Sequence, residues 1–203
     1  MGSAEDDRLL ELSLRAFVEA LGAPEPAPAG GSAAALGTQL AAALVAKCAR
    51  LSTRQLAHEA PSLAERALAI RDEAARLVTA DADAYGRFLA TRRHAADSVP
   101  ALAAAAATVA IPLRIAELAL EVAERARLLA ERGNPRLRGD AIVAVELASA
   151  AAHAASALVV ENLGPDVADP RRGRASELAR DAARHAEAAR SSQRPPGPVD
   201  DTR

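Results

Sequence analysis

Aromatic side chains are nearly missing from this sequence: 203 residues hold two Phe, one Tyr and no Trp. Half of the residues are apolar all the same, so alanine has to fill most of any core. Each alanine buries little surface, and burial yields only about 25 cal/mol per Å². Stability must then come from many close helix contacts or from a second subunit, and a homodimer or larger homo-oligomer is expected. One cysteine, Cys48, excludes an internal disulfide. An excess of one charge is also missing, with 25 basic residues against 27 acidic ones and a net charge of −2. The signs alternate along helical faces, which leaves no footprint for nucleic acid. The first residues lack the basic and apolar parts of a signal peptide. The uncharged run from Ser98 to Leu113 contains two prolines and is shorter than the ~20 residues that cross a bilayer. These absences lead to the expectation of a cytoplasmic protein with no nucleic-acid or membrane partner.

No sustained period of two and no Asn-Gly hairpin signal occurs, so strands are not expected. What is present is helical periodicity, and the fold class is all-α, a bundle of about five core helices plus a short C-terminal helix. Leu9, Leu10, Leu12, Leu14, Phe17, Val18 and Leu21 predict a first amphipathic helix over 6–21, stopped by Gly22. Ser32 is a good N-cap for a second helix reaching about Ser52, and Pro61 suits the first turn of a third. A fourth spans Pro100 to Glu131 with a kink expected at Pro112. A fifth opens at Asn134-Pro135 or at Asp140 and ends at Leu163 before Gly164-Pro165. Residues 164–172 read as a connector and 174–190 as a charged helix with a weak apolar face. One domain over 1–190 is expected, followed by a disordered tail over 191–203 that has nothing with which to offset the entropy of ordering.

Three stretches can carry chemistry. The first is the proline-rich approach "PEPAPAGGS", which places Gly30, Gly31 and Ser32 at the mouth of a helix. Free N–H groups of a first helical turn attract a carboxylate or carbonyl oxygen, and glycine admits a ligand closely; the same glycines equally permit two helices to cross. The second is "DADAY", Asp81 to Tyr85. Residues two apart diverge by about 200° on a helix, so only one of Asp81 and Asp83 can face a cleft. Arg87 lies one turn after Asp83 and Tyr85 one turn after Asp81, which leaves a plain ion pair as the alternative for Asp83. The third is "GNPRLRGDA", where Asp140 can simply favour a helix N-terminus, with Asn162 at the far end of the helix it opens. His58, His94, His153 and His185 show no i, i+4 pair of the kind that binds a metal on a helix, and no metal site is expected.

In this order the three stretches resemble the cyclodeaminase/methenyltetrahydrofolate cyclohydrolase family, known as stand-alone bacterial enzymes and as the C-terminal domain of formiminotransferase-cyclodeaminase. The resemblance runs from about Leu14 to Leu163. "PAPAGGSAAA" is similar to the family's P-x-P-G-G-G-S-x-A-A, Asp81-x-Asp83-Ala84 to its acidic D-x-D-A, "GNPRLRGDA" to G-N-x-N-x-x-S-D-A, and "LVVENL" to the end of N-V-x-x-N-L. It implies an all-helical dimer acting on one-carbon adducts of tetrahydrofolate, with no cofactor beyond that substrate. The implied reactions are closure of 5-formiminotetrahydrofolate with loss of ammonia and hydrolysis of 5,10-methenyltetrahydrofolate to 10-formyltetrahydrofolate. It further implies that Pro28, Gly30, Gly31, Ser32, Asp140 and Asn162 bind the substrate and that Asp83 moves the proton, with Asp81 turned largely away. Ala29, Arg136, Gly139 and Leu158 depart from the family pattern, as does the segment "TRQLAHEA", which lacks its G-K-K-like stretch. Two other readings stay open: a diverged enzyme for another amidine-like or one-carbon substrate, and a non-catalytic helical scaffold. The enzymes need a polar-lined pocket with an inward Asp; the scaffold leaves Asp81, Asp83 and Asp140 all in solvent.

Overall fold

The computed structural model describes residues 8–92, 98–165 and 168–192. These residues form six α-helices, α1 (Leu14–Leu21), α2 (Gly30–Arg50), α3 (Ala60–Arg92), α4 (Val99–Arg132), α5 (Arg138–Leu163) and α6 (Pro170–Ser191), with a 3-10 turn at Pro135–Leu137. No strand occurs among the described residues. Residues 193–203 of the expected tail, and His94, lie outside the described residues.

Helices α2, α3, α4 and α5 form a closed ring in which each packs against the next, and α6 lies across α4 and α5. Short connections between α3 and α4 and between α4 and α5 make these neighbours antiparallel. Alanine dominates the centre: Ala41, Ala42, Ala67, Ala119, Ala126, Ala144 and Ala148 are fully buried beside Val45, Ile70, Val122 and Val145. Their small side chains allow the helix backbones to approach closely. Along the outer edge of the α3–α4 seam, Arg66 grips Glu121 through two 2.7 Å hydrogen bonds, and Arg114 holds Glu73 in the same forked manner. Such bidentate pairs fix the register of the two long helices more than they add stability.

The ends of the helices correct several sequence expectations. The first helix starts at Leu14, not near residue 6, because the Ser13 hydroxyl accepts the Ala16 N–H at 3.1 Å and caps it. Ser32 is not the cap of α2: the helix begins two residues earlier with Ala29 as a bare N-cap. The sixth helix starts at Pro170, inside the expected connector, since Asp169 caps it through the Arg171 N–H. Its alanine face is buried, including Ala175, Ala182 and Ala189. Pro112 sits inside α4 without ending it. Gly164, at φ 60°, terminates α5 in the left-handed region that glycine tolerates.

Three segments, Gly30–Arg50, Val99–Arg132 and Pro135–Leu163, are long and apolar enough by composition to cross a membrane. The expectation drawn from 98–113 alone overlooked this. In the structure these segments are members of the ring, their apolar windows 39–56% buried within it.

Candidate active site

At the end of the ring where α2 begins and α5 finishes, the helices splay around a cavity of about 300 Å³. Pro26, Ala29, Gly30 and Gly31 form one wall, Asp81 and Tyr85 of α3 a second, and Thr108, Leu158 and Asn162 close the remainder. Its polar groups come from four separate parts of the chain. The ring of helices brings them together.

Gly31 and Asp81 are matched to each other. A Cβ placed on Gly31 would overlap the Asp81 carboxylate on all three of its terminal atoms. Gly30 differs, since its Cβ would only touch the Leu158 methyls at 3.9 Å. The carboxylate thus occupies the space that a side chain at Gly31 would fill, against the first turn of α2. Ser32, fully buried beneath, donates its hydroxyl proton to the Val78 carbonyl at 2.8 Å. Its N–H and hydroxyl also face Asp81; having one proton, the hydroxyl can serve only one acceptor, and the 2.8 Å geometry assigns it to Val78.

Burial raises the Asp81 pKa from 3.8 to about 6, while hydrogen bonding from Ser32, its N–H above all, pulls it down. Desolvation prevails because no cation pairs with Asp81 among the described residues. At neutral pH about a tenth of the molecules carry the proton, so the group can both accept and return one. Asn162 donates from Nδ2 to the Thr108 carbonyl at 2.7 Å. That bond fixes the carboxamide and leaves its oxygen as an acceptor at the cavity wall.

The structure reverses the expected orientation of the acidic segment. Asp83 takes an ion pair with Arg8 at 2.6 Å, not with Arg87, and does not line the cavity. The cause lies in the N-terminal segment, where Leu9 and Phe17 are buried against Val78, Ala82 and Ile115. The Leu9 N–H also reaches the Thr79 hydroxyl at 3.4 Å. This segment covers the side of α3 that carries Asp83. Asp81 is left facing α2.

Of the other expected residues, Gly30, Gly31 and Asn162 meet at the cavity, while Ser32 supports it from below. Pro28 follows the cis Ala27–Pro28 peptide bond and does not line the cavity, although Pro26 and Ala29 on either side do. Asp140 lies at the other end of α5, 22 residues from Asn162, or about 33 Å along the helix. There it pairs with Lys47 at 2.7 Å. Within one chain it cannot join this cavity. The rest of "GNPRLRGDA" forms a corner: Ser52 Oγ donates to the Cys48 carbonyl at 2.7 Å and accepts the Asn134 N–H at 2.9 Å. Cys48 itself is buried, and desolvation pushes its thiol up to about 11. Tyr85 and Thr108 were not picked out as site residues. Tyr85 gave a signal as the i+4 neighbour of Asp81; Thr108, alone in an alanine run, gave none.

Among the described residues no three His, Cys, Asp or Glu side chains converge as a metal site. Comparison with curated proteins gives no match. In solved structures, the fold is similar to the crystal structure of formiminotetrahydrofolate cyclodeaminase from Thermotoga maritima. The TM-score is 0.76 at 20% identity, over 89% of this chain and 93% of that one. The sequence profile of formiminotransferase-cyclodeaminase matches residues 13–181, most of the chain and all of the elements that build the cavity, and the chain therefore belongs to the formiminotransferase-cyclodeaminase family.

Proposed function

We propose that the protein is an enzyme of folate one-carbon metabolism that closes 5-formiminotetrahydrofolate to 5,10-methenyltetrahydrofolate with release of ammonia. The observation that carries this reading is the inward Asp81 in a cavity that also presents the Asn162 carboxamide, held by the Thr108 carbonyl. Family membership supplies the substrate class, and the geometry supplies the proton carrier. This assigns to Asp81 the part first expected of Asp83.

The chemistry needs one proton moved between two nitrogens. With the formimino group entering as its amidinium, N10 attacks the formimino carbon: the C–N10 bond forms as the C=N π pair moves onto the amino nitrogen, and the N10 proton passes to the Asp81 carboxylate. Asp81 then returns it to the amino nitrogen, the C–NH3 bond breaks, and the electron pair leaves with ammonia. Substrate and product carry the same charge, so no other co-reactant is required. A carboxyl with a pKa of about 6 suits both halves of this transfer. The free N–H groups at the start of α2 and the Asn162 oxygen would orient the pterin. The same groups would serve hydrolysis of the methenyl ring, with water in place of the amine. The protein would act as a homodimer or larger homo-oligomer: Leu40 on α2 and Val143 on the neighbouring α5 are about half exposed. Light scattering at micromolar concentration checks this, with a single monomeric species as the contrary result.

The test is to supply purified protein with 5-formiminotetrahydrofolate and follow the methenyl absorbance and ammonia together. Both should appear in equal amounts. A folded protein that converts neither this adduct nor methenyltetrahydrofolate would overturn the proposal.

A further inference from the structure

The chain has three aromatic residues, and two of them stand side by side at the edge of the cavity. Tyr85 lines it, and the Phe88 ring centroid lies 6.3 Å from that of Tyr85. Phe88 then forms the wall of a second hollow of about 200 Å³, with Ala101, Leu102 and Ala105 of α4 opposite and Arg92 at its end. The Arg92 guanidinium is 5.9 Å from the Phe88 ring centroid. Among the described residues it has no carboxylate partner. Leu102 is 59% exposed.

The arrangement follows from helix periodicity. Asp81, Tyr85, Phe88 and Arg92 occupy positions i, i+4, i+7 and i+11, one stripe along one face of α3. On α4, Ala101, Ala105 and Thr108 form the facing stripe in the opposite direction. The second hollow is thus the continuation of the first between the same two helices. In order, the stripe offers a proton-exchanging carboxyl, two aromatic faces and a cation, spanning about 16 Å. An extended ligand with a hydrogen-bonding head, an aryl middle and a carboxylate end would meet a complementary group at each stage.

We infer that the Phe88–Arg92 hollow is the subsite for the arylamide and terminal carboxylate of the ligand whose reacting head lies at Asp81. This rests on the folate reading and adds where the remainder of that molecule binds. The aryl ring packs against Phe88 and Tyr85 in offset or edge contact, and Leu102 covers its other side. Arg92 donates charge-assisted hydrogen bonds to the carboxylate. None of these groups touches the reacting carbon. They act by binding, in the ground state and the transition state alike.

The test compares 5-formiminotetrahydrofolate with the corresponding tetrahydropteroate, which ends at the aryl carboxyl and lacks the glutamate. Wild-type protein should show KM about tenfold higher for the truncated compound with kcat little changed. Arg92→Ala should raise KM for the full substrate about tenfold, leave kcat within about twofold, and abolish the preference between the two compounds. Arg92→Lys should recover part of it. Phe88→Leu keeps the apolar bulk and removes the ring face, and should raise KM for both compounds. Thermal melting of each variant separates lost folding from lost binding. Wild-type preference retained in Arg92→Ala, or its absence from an active wild-type enzyme, overturns the subsite while leaving the folate reading intact. A folded wild-type protein inactive on both the formimino and methenyl adducts overturns the folate reading and this inference with it.

Discussion

The two ends of the ring each present an aspartate beside the start or end of a helix, and each was marked by a motif in the sequence. Asp140 has the Lys47 ammonium at 2.7 Å, with both side chains partly open to water. Asp81 is largely removed from water, with the Ser32 N–H as its donor and no cation among the described residues. A paired, hydrated carboxylate is satisfied and unreactive; a desolvated one keeps its affinity for a proton. The same side chain is structural at one end and suited to chemistry at the other, and its surroundings make the difference.

The largest effect should come from the space shared by Gly31 and Asp81. Gly31→Val displaces the carboxylate, so activity should fall to the level of an Asp81 deletion while overpacking lowers stability by about 1–3 kcal/mol. Gly30→Ala should change neither by much, because its new methyl meets only Leu158 side-chain carbons at van der Waals range. Melting temperature and turnover of the two variants, measured together, check the contrast.

Next is Asp81→Asn, which should lower kcat by about 10²-fold or more while preserving the fold. Asp83→Asn loses only an exposed pair with Arg8 and should retain most of the activity. Turnover by the two variants that follows the opposite order would return the proton transfer to Asp83.

A third effect is on stability. Because the folded pKa of Asp81, about 6, lies above its ordinary 3.8, the folded protein holds this proton more tightly than the unfolded chain does. Ionisation at Asp81 therefore costs stability: the cost is absent below about pH 4, grows through about pH 6, and is complete above it. Urea unfolding should show wild type losing about 2 kcal/mol relative to Asp81→Asn between about pH 4 and pH 7. A difference that stays constant with pH would mean that water reaches the carboxylate. The smallest effect belongs to the opposite end, where Asp140→Asn should cost less than about 1 kcal/mol and leave kcat nearly unchanged.

Helix periodicity carried most of the fold, since five of the six helices extend over stretches whose apolar spacing or capping residues announce them. Asp169 is the exception among caps, hidden because the connector around it reads as turn. The site was legible only in part. Spacing dictates that one of Asp81 and Asp83 faces the cleft, but the choice depends on where Arg8, Leu9 and Phe17 lie against α3. That contact joins residues about 70 positions apart, and no local pattern encodes it. Ser32 misled for a related reason: its hydroxyl serves Val78 on another helix, a tertiary partner that outweighs its capping preference. Thr108 enters the site through the antiparallel register of α4, which the alanines around it do not reveal.

The alanine-rich ring has a consequence for how the cavity can behave. Alanine has no χ angle to lose on folding, so its burial carries no side-chain entropy cost. For the same reason the ring offers no alternative rotamers into which it could repack. Ala41, Ala126 and Ala148 can fit together in one way or be replaced by something larger that does not fit at all. The frame behind Gly31 and Asn162 is then set by backbone positions, and it cannot reshape itself around a ligand by turning side chains. Selectivity in such a site depends on side chains that can still rotate, Tyr85, Phe88 and Arg92 among them.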